Sequence, residues 1–224
     1  MTGTERADGS MSKHQIIADG TGLHGRAVSA AIELMAESQP TIPDLRDVAE
    51  MLDAPVEDLL RIFPDDNALL VASLEQALVR LIDSCVKAVV QIDPQDSVGQ
   101  FIALGDAYIL WAVTYPTQFR MLADYRHPDL QAVPQVARYI DSLMDLMVKM
   151  LERARESGRV HPDENIRLLV LSSRTYAYGL ARLLVDGRMH DWYPGVEPLE
   201  AAQMAMRDFV RRTARGAQPA GSRS

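Results

Sequence analysis

Apolar residues recur every three or four positions along most of this chain, which is the spacing of one face of an α-helix. No segment alternates apolar and polar residues as a half-buried strand does, so the pattern predicts an all-α protein of about nine helices. The expected helices are Leu23–Ser38, two short ones opened by Thr41 and Pro55, a long one after Asp65, one from Asp93 to Tyr115, one between Pro116 and Pro128, and three that follow Pro134, Pro162 and Pro198.

The N-terminal third of the chain contains several residues that typically begin or end helices. Thr41, with Asp44 three residues on, predicts an N-cap, and Pro55 is placed to open the next helix. Pro64 pushes Phe63 out of the α region and ends that helix, after which Asp65 caps the long one. Three short helices before a long one, with little chain between the second and third, indicate a helix-turn-helix arrangement.

The residues of this segment resemble the head of the tetracycline-repressor (TetR) family. The family pattern reads Arg-Asp-Ile-Ala, a short turn, then Leu-Tyr-Arg-His-Phe-x-x-Lys-x-x-Leu-Leu. It is similar to Arg46-Asp47-Val48-Ala49, then Leu59, Arg61, Phe63-Pro64 and Ala68-Leu69-Leu70. Downstream, residues 115–122 (Tyr-Pro-Thr-Gln-Phe-Arg-Met-Leu) are similar to a segment of the family's C-terminal domains.

The resemblance implies a three-helix head on a larger helical domain that binds ligand and dimerises. We place the head at residues 23–70 and the C-terminal domain at residues 71–215. Residues 1–22 and 216–224 are rich in Gly, Ser and charge, and we expect disordered tails there. The implied partners are a second copy of the chain, operator DNA and a small-molecule effector.

The positions that the resemblance assigns to DNA contact depart from the family pattern. They are Thr41, Arg46, Pro55, Val56, Glu57, Leu60 and Arg61. Val56 stands where the family often has lysine, Leu60 where it has tyrosine, Ile62 where it has histidine, and Asp66 where it has lysine.

The head is also strongly acidic. Between His24 and Leu70 three cations face ten anions, a formal balance of −7. Phosphate contacts supply most non-specific DNA affinity, so this charge repels a duplex, and Asp65 and Asp66 stand where a helix N-terminus would attract phosphate. Two hypotheses stay open: a ligand-responsive DNA-binding repressor, or a TetR-fold protein that has lost DNA binding and acts as a protein- or ligand-binding module.

Aromatic and thioether side chains concentrate in the middle helices and can line an adaptable apolar cavity or simply fill a core. The candidate pocket residues are Phe101, Tyr108, Trp111, Tyr115, Phe119, Tyr125, Met144, Met147 and Arg174. For Arg174, in an otherwise apolar helix, two interpretations remain. It meets an effector's carboxylate, or, as we expect, it forms a salt bridge to an acid of the same domain.

The helix from Asp163 to Asp186 is too apolar to face water all round, so with the last helix it is the expected dimer interface. The stripe assigned to that interface is Ile166, Leu169, Val170, Ser173, Ala177, Leu180 and Leu184, with Ala202, Met206 and Phe209 of the last helix.

Composition narrows the remaining function classes. One cysteine, Cys85, excludes an internal disulfide and is expected in the core. The five histidines show no metal-binding spacing, and nucleophile-elbow, phosphate-loop and dinucleotide motifs are missing, so we expect no enzyme, metal or cofactor. No uninterrupted apolar run reaches membrane-spanning length and the N-terminus lacks a signal-peptide core, which predicts a cytoplasmic protein of net charge −8.

Overall fold

The computed structural model describes residues 22–37, 43–124 and 133–215. Ten α-helices and no β-strand occur in these ranges, so the all-α prediction is confirmed. The helices are α1 (Leu23–Glu37), α2 (Leu45–Leu52), α3 (Val56–Leu60), α4 (Asp66–Val89), α5 (Ser97–Thr114), α6 (Pro116–Asp124), α7 (Pro134–Glu156), α8 (Ile166–Val185), α9 (Met189–Trp192) and α10 (Pro198–Arg215). The extra helix, α9, is a single turn and too short to show a periodic pattern.

Side-chain caps, rather than prolines or Thr41, set several helix starts. Asp44 caps α2 by accepting from the backbone N–H of Asp47 in a capping box, while the predicted cap Thr41 lies outside the described residues. Asp96 caps α5 and Asn165 caps α8, each two or three residues after the proline that was expected to open the helix. Proline is compatible with the first turn of a helix but adds no hydrogen bond there. A side-chain acceptor, in contrast, bonds to a backbone N–H that the helix leaves free.

The described chain divides into two compact units within α4, between Ser73 and Leu74. In the N-terminal unit α1, α2 and α3 pack on one another, and the buried residues are Ala27, Val28, Ala30, Ala31, Leu45, Val48, Ala49, Leu59, Phe63 and Leu69. The turn between α2 and α3 passes through Asp53, which adopts left-handed backbone (φ 49°) and ends α2. The sequence pattern therefore identified the packed three-helix head.

The C-terminal unit is built around α5, which packs against α6, α7, α8 and α10. Among the described helices α5 alone has the length and mean hydropathy (1.2) of a membrane span, and half of it is buried inside this unit. Its Asp106 forms an ion pair of 2.7 Å with Arg207 of α10. The apolar composition of α5 is therefore accounted for by its central place in the core.

Candidate functional site

A cavity of about 470 Å³ lies within the C-terminal unit. Its walls come from α4, α5, α6, α7 and α8, with Met206 of α10. The lining is predominantly apolar and comprises Leu78, Leu81, Ile82, Cys85, Phe101, Leu104, Gly105, Tyr108, Trp111, Phe119, Leu122, Ala123, Tyr139, Ile140, Leu143, Met144, Met147, Leu171, Ser173, Arg174, Thr175, Ala177, Tyr178 and Met206. The size and composition are those of small-molecule sites, which are mostly apolar with few polar groups.

Four aromatic rings form a connected wall of this cavity. The ring centroids of Tyr108 and Trp111 are 6.2 Å apart, and Trp111 meets Phe119 edge-on at 6.4 Å. Phe119 continues the wall to Tyr178 at 5.8 Å. Trp111 and Phe119 are buried almost completely, and rings packed in this way hold one another in a fixed geometry.

Two polar atoms of the buried lining have no hydrogen-bond partner among the described residues: Nε1 of Trp111 and Oγ of Ser173. Unpaired buried donors and acceptors each cost about 1–3 kcal/mol. Native structures leave few buried polar groups unpaired, so these two atoms are available to an occupant of the cavity or to water.

Arg174 is the only charged side chain among the described residues that line the cavity. The expected salt bridge from Arg174 to an acid of the same domain does not form among the described residues, where Arg174 has no ion pair or hydrogen bond. Burial raises the pKa of the neighbouring Tyr108 phenol above its ordinary value, while the positive charge of Arg174 acts in the opposite direction. The Tyr108 hydroxyl is therefore a neutral hydrogen-bonding group beside an exposed cation.

The structure brings seven of the predicted pocket residues to the cavity: Phe101, Tyr108, Trp111, Phe119, Met144, Met147 and Arg174. Tyr115 does not line it. Its side chain is exposed after the end of α5, where the Arg80 guanidinium lies 5.4 Å from the ring centroid. Tyr125 lies outside the described residues. The lining of α4, including Leu78, Leu81 and Ile82, was missed because aliphatic stripe positions look the same whether they face a core or a cavity.

The predicted dimer stripe faces the wrong way. Ile166, Leu169, Val170, Ser173, Ala177 and Leu180 are buried within the protomer, as are Ala202 and Met206. Leu184 is half-buried, and Phe209 is half-buried against Tyr176, with ring centroids 4.6 Å apart. The eight buried side chains pack α8 and α10 onto their own domain, so they are not available to a second copy.

The opposite face of α8 is exposed and still apolar. Leu168 is 55% exposed and Leu171 58% exposed, and Ser172, Thr175 and Gly179 share that side of the helix. Leu171 and Thr175 also line the cavity, so the rim of the cavity is continuous with this face. We call Leu168, Leu171, Ser172, Thr175 and Gly179 the outer face of α8.

In the N-terminal unit the candidate DNA-contact residues are mostly on the surface. The exposed ones are Arg46, Pro55, Glu57, Leu60 and Arg61, while Val56 is half-buried and Thr41 lies outside the described residues. Arg61 is paired to Asp58, with 2.7 Å between Nη1 and Oδ1. Its charge is thus partly neutralised by a neighbouring acid on the same helix turn.

Carboxylates occupy the free N–H groups at two helix starts of the head. Asp44 accepts from Arg46 and Asp47 at 2.9 Å each, and Asp66 accepts from Leu45 at 2.8 Å. Asp65 accepts from Ala68 at 2.8 Å at the start of α4. Each start is where a helix attracts an anion, and here the anion is the protein's own.

Two further kinds of reactive group were considered in the sequence, the single cysteine and a metal site. Cys85 is buried, and burial raises its pKa to about 12, so it stays a protonated thiol in the cavity wall. Within the ranges that the structure describes, no group of three or more His, Cys, Asp and Glu side chains is placed to hold a metal ion.

Comparison with known proteins agrees with the architecture. Residues 101–209 match the family model described as the tetracyclin repressor-like C-terminal domain. No curated protein sequence matches the chain.

Solved structures resemble the chain over most of its length. A protein of unknown function from Rhodococcus sp. RHA1 has a TM-score of 0.73 at 23% identity, covering 88% of this chain and 98% of its own. The regulator PfmR of Thermus thermophilus has a TM-score of 0.61 at 17% identity, covering 84% and 97%. The ketosteroid transcriptional regulator KstR2 of Mycobacterium tuberculosis has a TM-score of 0.62 at 18% identity, covering 88% and 95%.

Proposed function

Residues 101–209 belong to the tetracycline repressor-like C-terminal domain family, and on that premise we propose that the chain is a TetR-type transcriptional regulator. In this proposal it is a cytoplasmic homodimer and not an enzyme. Its C-terminal domain binds a small apolar effector, and its head meets operator DNA. Binding of the effector changes the affinity of the dimer for that DNA.

The observation that carries the proposal is the cavity of about 470 Å³ in the C-terminal unit. Ordinary cores are packed to crystal density and leave few voids larger than a water molecule. A cavity of this volume, walled by aromatic rings and the thioethers of Met144 and Met147, therefore calls for an occupant. The neighbour described as a ketosteroid regulator supports an apolar effector.

The outer face of α8 supports both the dimer and the coupling. Two half-exposed leucines, Leu168 and Leu171, gain burial when a second copy covers them. Because Leu171 and Thr175 also line the cavity, an occupant and a second copy contact the same stretch of α8. An effector that fits one arrangement of the pair better than another will shift the balance between them.

Operator binding is tested by fluorescence anisotropy with a labelled duplex taken from upstream of the chain's own coding sequence, at low salt. We expect binding that weakens as salt rises, because phosphate contacts release counterions. An apolar ligand that occupies the cavity should change that affinity. Failure to bind any duplex at micromolar protein would overturn the DNA-reading part of the proposal.

A second candidate function, a TetR-fold binding module without DNA affinity, is favoured by the carboxylates of the head. Asp65 and Asp66 occupy backbone N–H groups that would otherwise face phosphate. In this reading the double change Asp65→Asn and Asp66→Asn, which keeps an acceptor at each position, introduces salt-dependent DNA binding that the wild type lacks.

The matched control for that variant is Asp141→Asn with Asp145→Asn. It removes the same charge from two exposed positions of α7 in the C-terminal unit. Equal DNA affinity of both variants would show a net-charge effect only. Steep salt-dependent association of the wild type with random DNA would rule the second candidate out.

A further inference from the structure

The cavity has chemically different ends. Its deep wall is formed by buried rings such as Phe101 and Trp111, each about 2% exposed. At the rim, exposed side chains of α8 supply the polar groups: the Arg174 guanidinium and the hydroxyls of Thr175 and Tyr178. An occupant that satisfies both ends has an apolar body and a polar head.

The head group must suit an unpaired guanidinium. None of the described lining residues is an Asp or Glu, and no acid within the described chain pairs with Arg174. This is notable in a chain with a formal charge of −8, where acids outnumber cations. A guanidinium offers a planar fork of N–H donors that fits a carboxylate with two parallel hydrogen bonds.

The volume limits the size of the occupant. At about 30 Å³ for each non-hydrogen atom, the share of a water molecule in the liquid, the cavity of 470 Å³ holds about 15 such atoms. We infer that the effector is a monocarboxylic acid with an apolar body of about that size, its carboxylate at Arg174 and its body against Trp111. This inference rests on the proposed function, because it names the ligand class of the same cavity.

The test uses the full-length chain and the two tryptophans that it contains. Trp111 lines the cavity and Trp192 is 70% exposed outside it, so Trp192→Phe leaves Trp111 as the only reporter. Dodecanoate and dodecan-1-ol, both below their micelle-forming concentrations, are titrated while Trp111 fluorescence is followed. The two probes have the same number of carbon atoms in one unbranched chain and differ in charge at the head.

Arg174→Gln, in the same background, removes the charge and keeps a polar side chain. We expect it to weaken dodecanoate binding by about tenfold, the loss of a charge-assisted pair at a partly solvated rim, and to leave dodecan-1-ol binding unchanged. Arg167→Gln is the matched control, since Arg167 is exposed on the same helix and does not line the cavity. It should change neither affinity.

Other outcomes separate this inference from the proposed function. Equal affinity for both probes, with no effect of Arg174→Gln, would overturn the carboxylic-acid assignment and leave an apolar effector standing. An equal loss in Arg167→Gln and Arg174→Gln would also overturn it, because the effect would then be one of general charge.

A neutral apolar dye, 1-aminoanthracene, covers the remaining case. If neither probe binds but the dye does, the carboxylic-acid assignment fails and the cavity remains a binding site. If the dye also fails to bind, the effector-binding part of the proposed function fails with it.

Discussion

Removing two leucines from the outer face of α8 should separate the proposed dimer into monomers. The change is Leu168→Ala with Leu171→Ala. Full burial of one leucine side chain is worth about 1.5–3 kcal/mol. Leu168 is 55% exposed and Leu171 58% exposed in the protomer, so roughly half of that gain, about 1 kcal/mol each, is left for contact with a second copy.

In a symmetric pair each leucine occurs twice, so four side chains contribute at most about 4 kcal/mol to association. Loss of this contribution to the free energy of association raises the dimer Kd by roughly 100- to 1,000-fold. Sedimentation velocity over a dilution series measures that Kd directly. Circular dichroism should show unchanged helix content, because neither side chain contributes to the buried core of the protomer.

The matched control is Val86→Ala with Val90→Ala on α4 and the turn that follows it. These valines are 43% and 65% exposed, so the control removes a comparable apolar area from a different face of the same unit. It should leave the dimer Kd unchanged. A wild type that stays monomeric at high concentration, or a leucine variant with the Kd of the wild type, would refute the reasoning.

Three further predictions concern stability and reactivity. Asp96→Ala removes the α5 cap and the ion pair with Arg159, and should lower the free energy of unfolding in urea by about 1–2 kcal/mol, against less than about 0.5 for the exposed Asp141→Ala. Asp44→Ala should lower the free energy of unfolding by about 1 kcal/mol, because the capping box of α2 is lost. An unchanged thermal midpoint would contradict this. Burial raises the Cys85 pKa to about 12, so iodoacetamide at pH 8 should alkylate the native thiol roughly 1,000-fold more slowly than the urea-unfolded one; similar rates would contradict this.

The helices were predictable because their signals are local. A residue at i and its neighbours at i+3 and i+4 share a face whatever surrounds the helix, so the apolar spacing of α4 or α10 is visible in the chain itself. Helix starts were less predictable, since Asp96 and Asn165 compete as caps with the prolines that precede them. The motif of the head added the packing of α1, α2 and α3.

The cavity was predictable in part. Aromatic residues such as Trp111 and Phe119 indicated it because ligand pockets are lined mainly by hydrophobic and aromatic side chains. Tyr115 was misplaced because the last turn of α5 ends before it and carries its ring towards Arg80. The contribution of α4 depends on which of its faces meets the other helices of the unit, and only folding sets that contact.

Periodicity by itself determined that α8 has two faces and that both are too apolar for a helix in water. It did not determine which of them the protomer keeps. The tertiary structure decided this by packing Val170 and Ala177 into the domain core and leaving Leu168 and Leu171 outside. It also left Arg174 without an acid among the described residues. The physical reason is the same in both cases: a side chain's partners come from other helices, and their approach is a property of the whole fold.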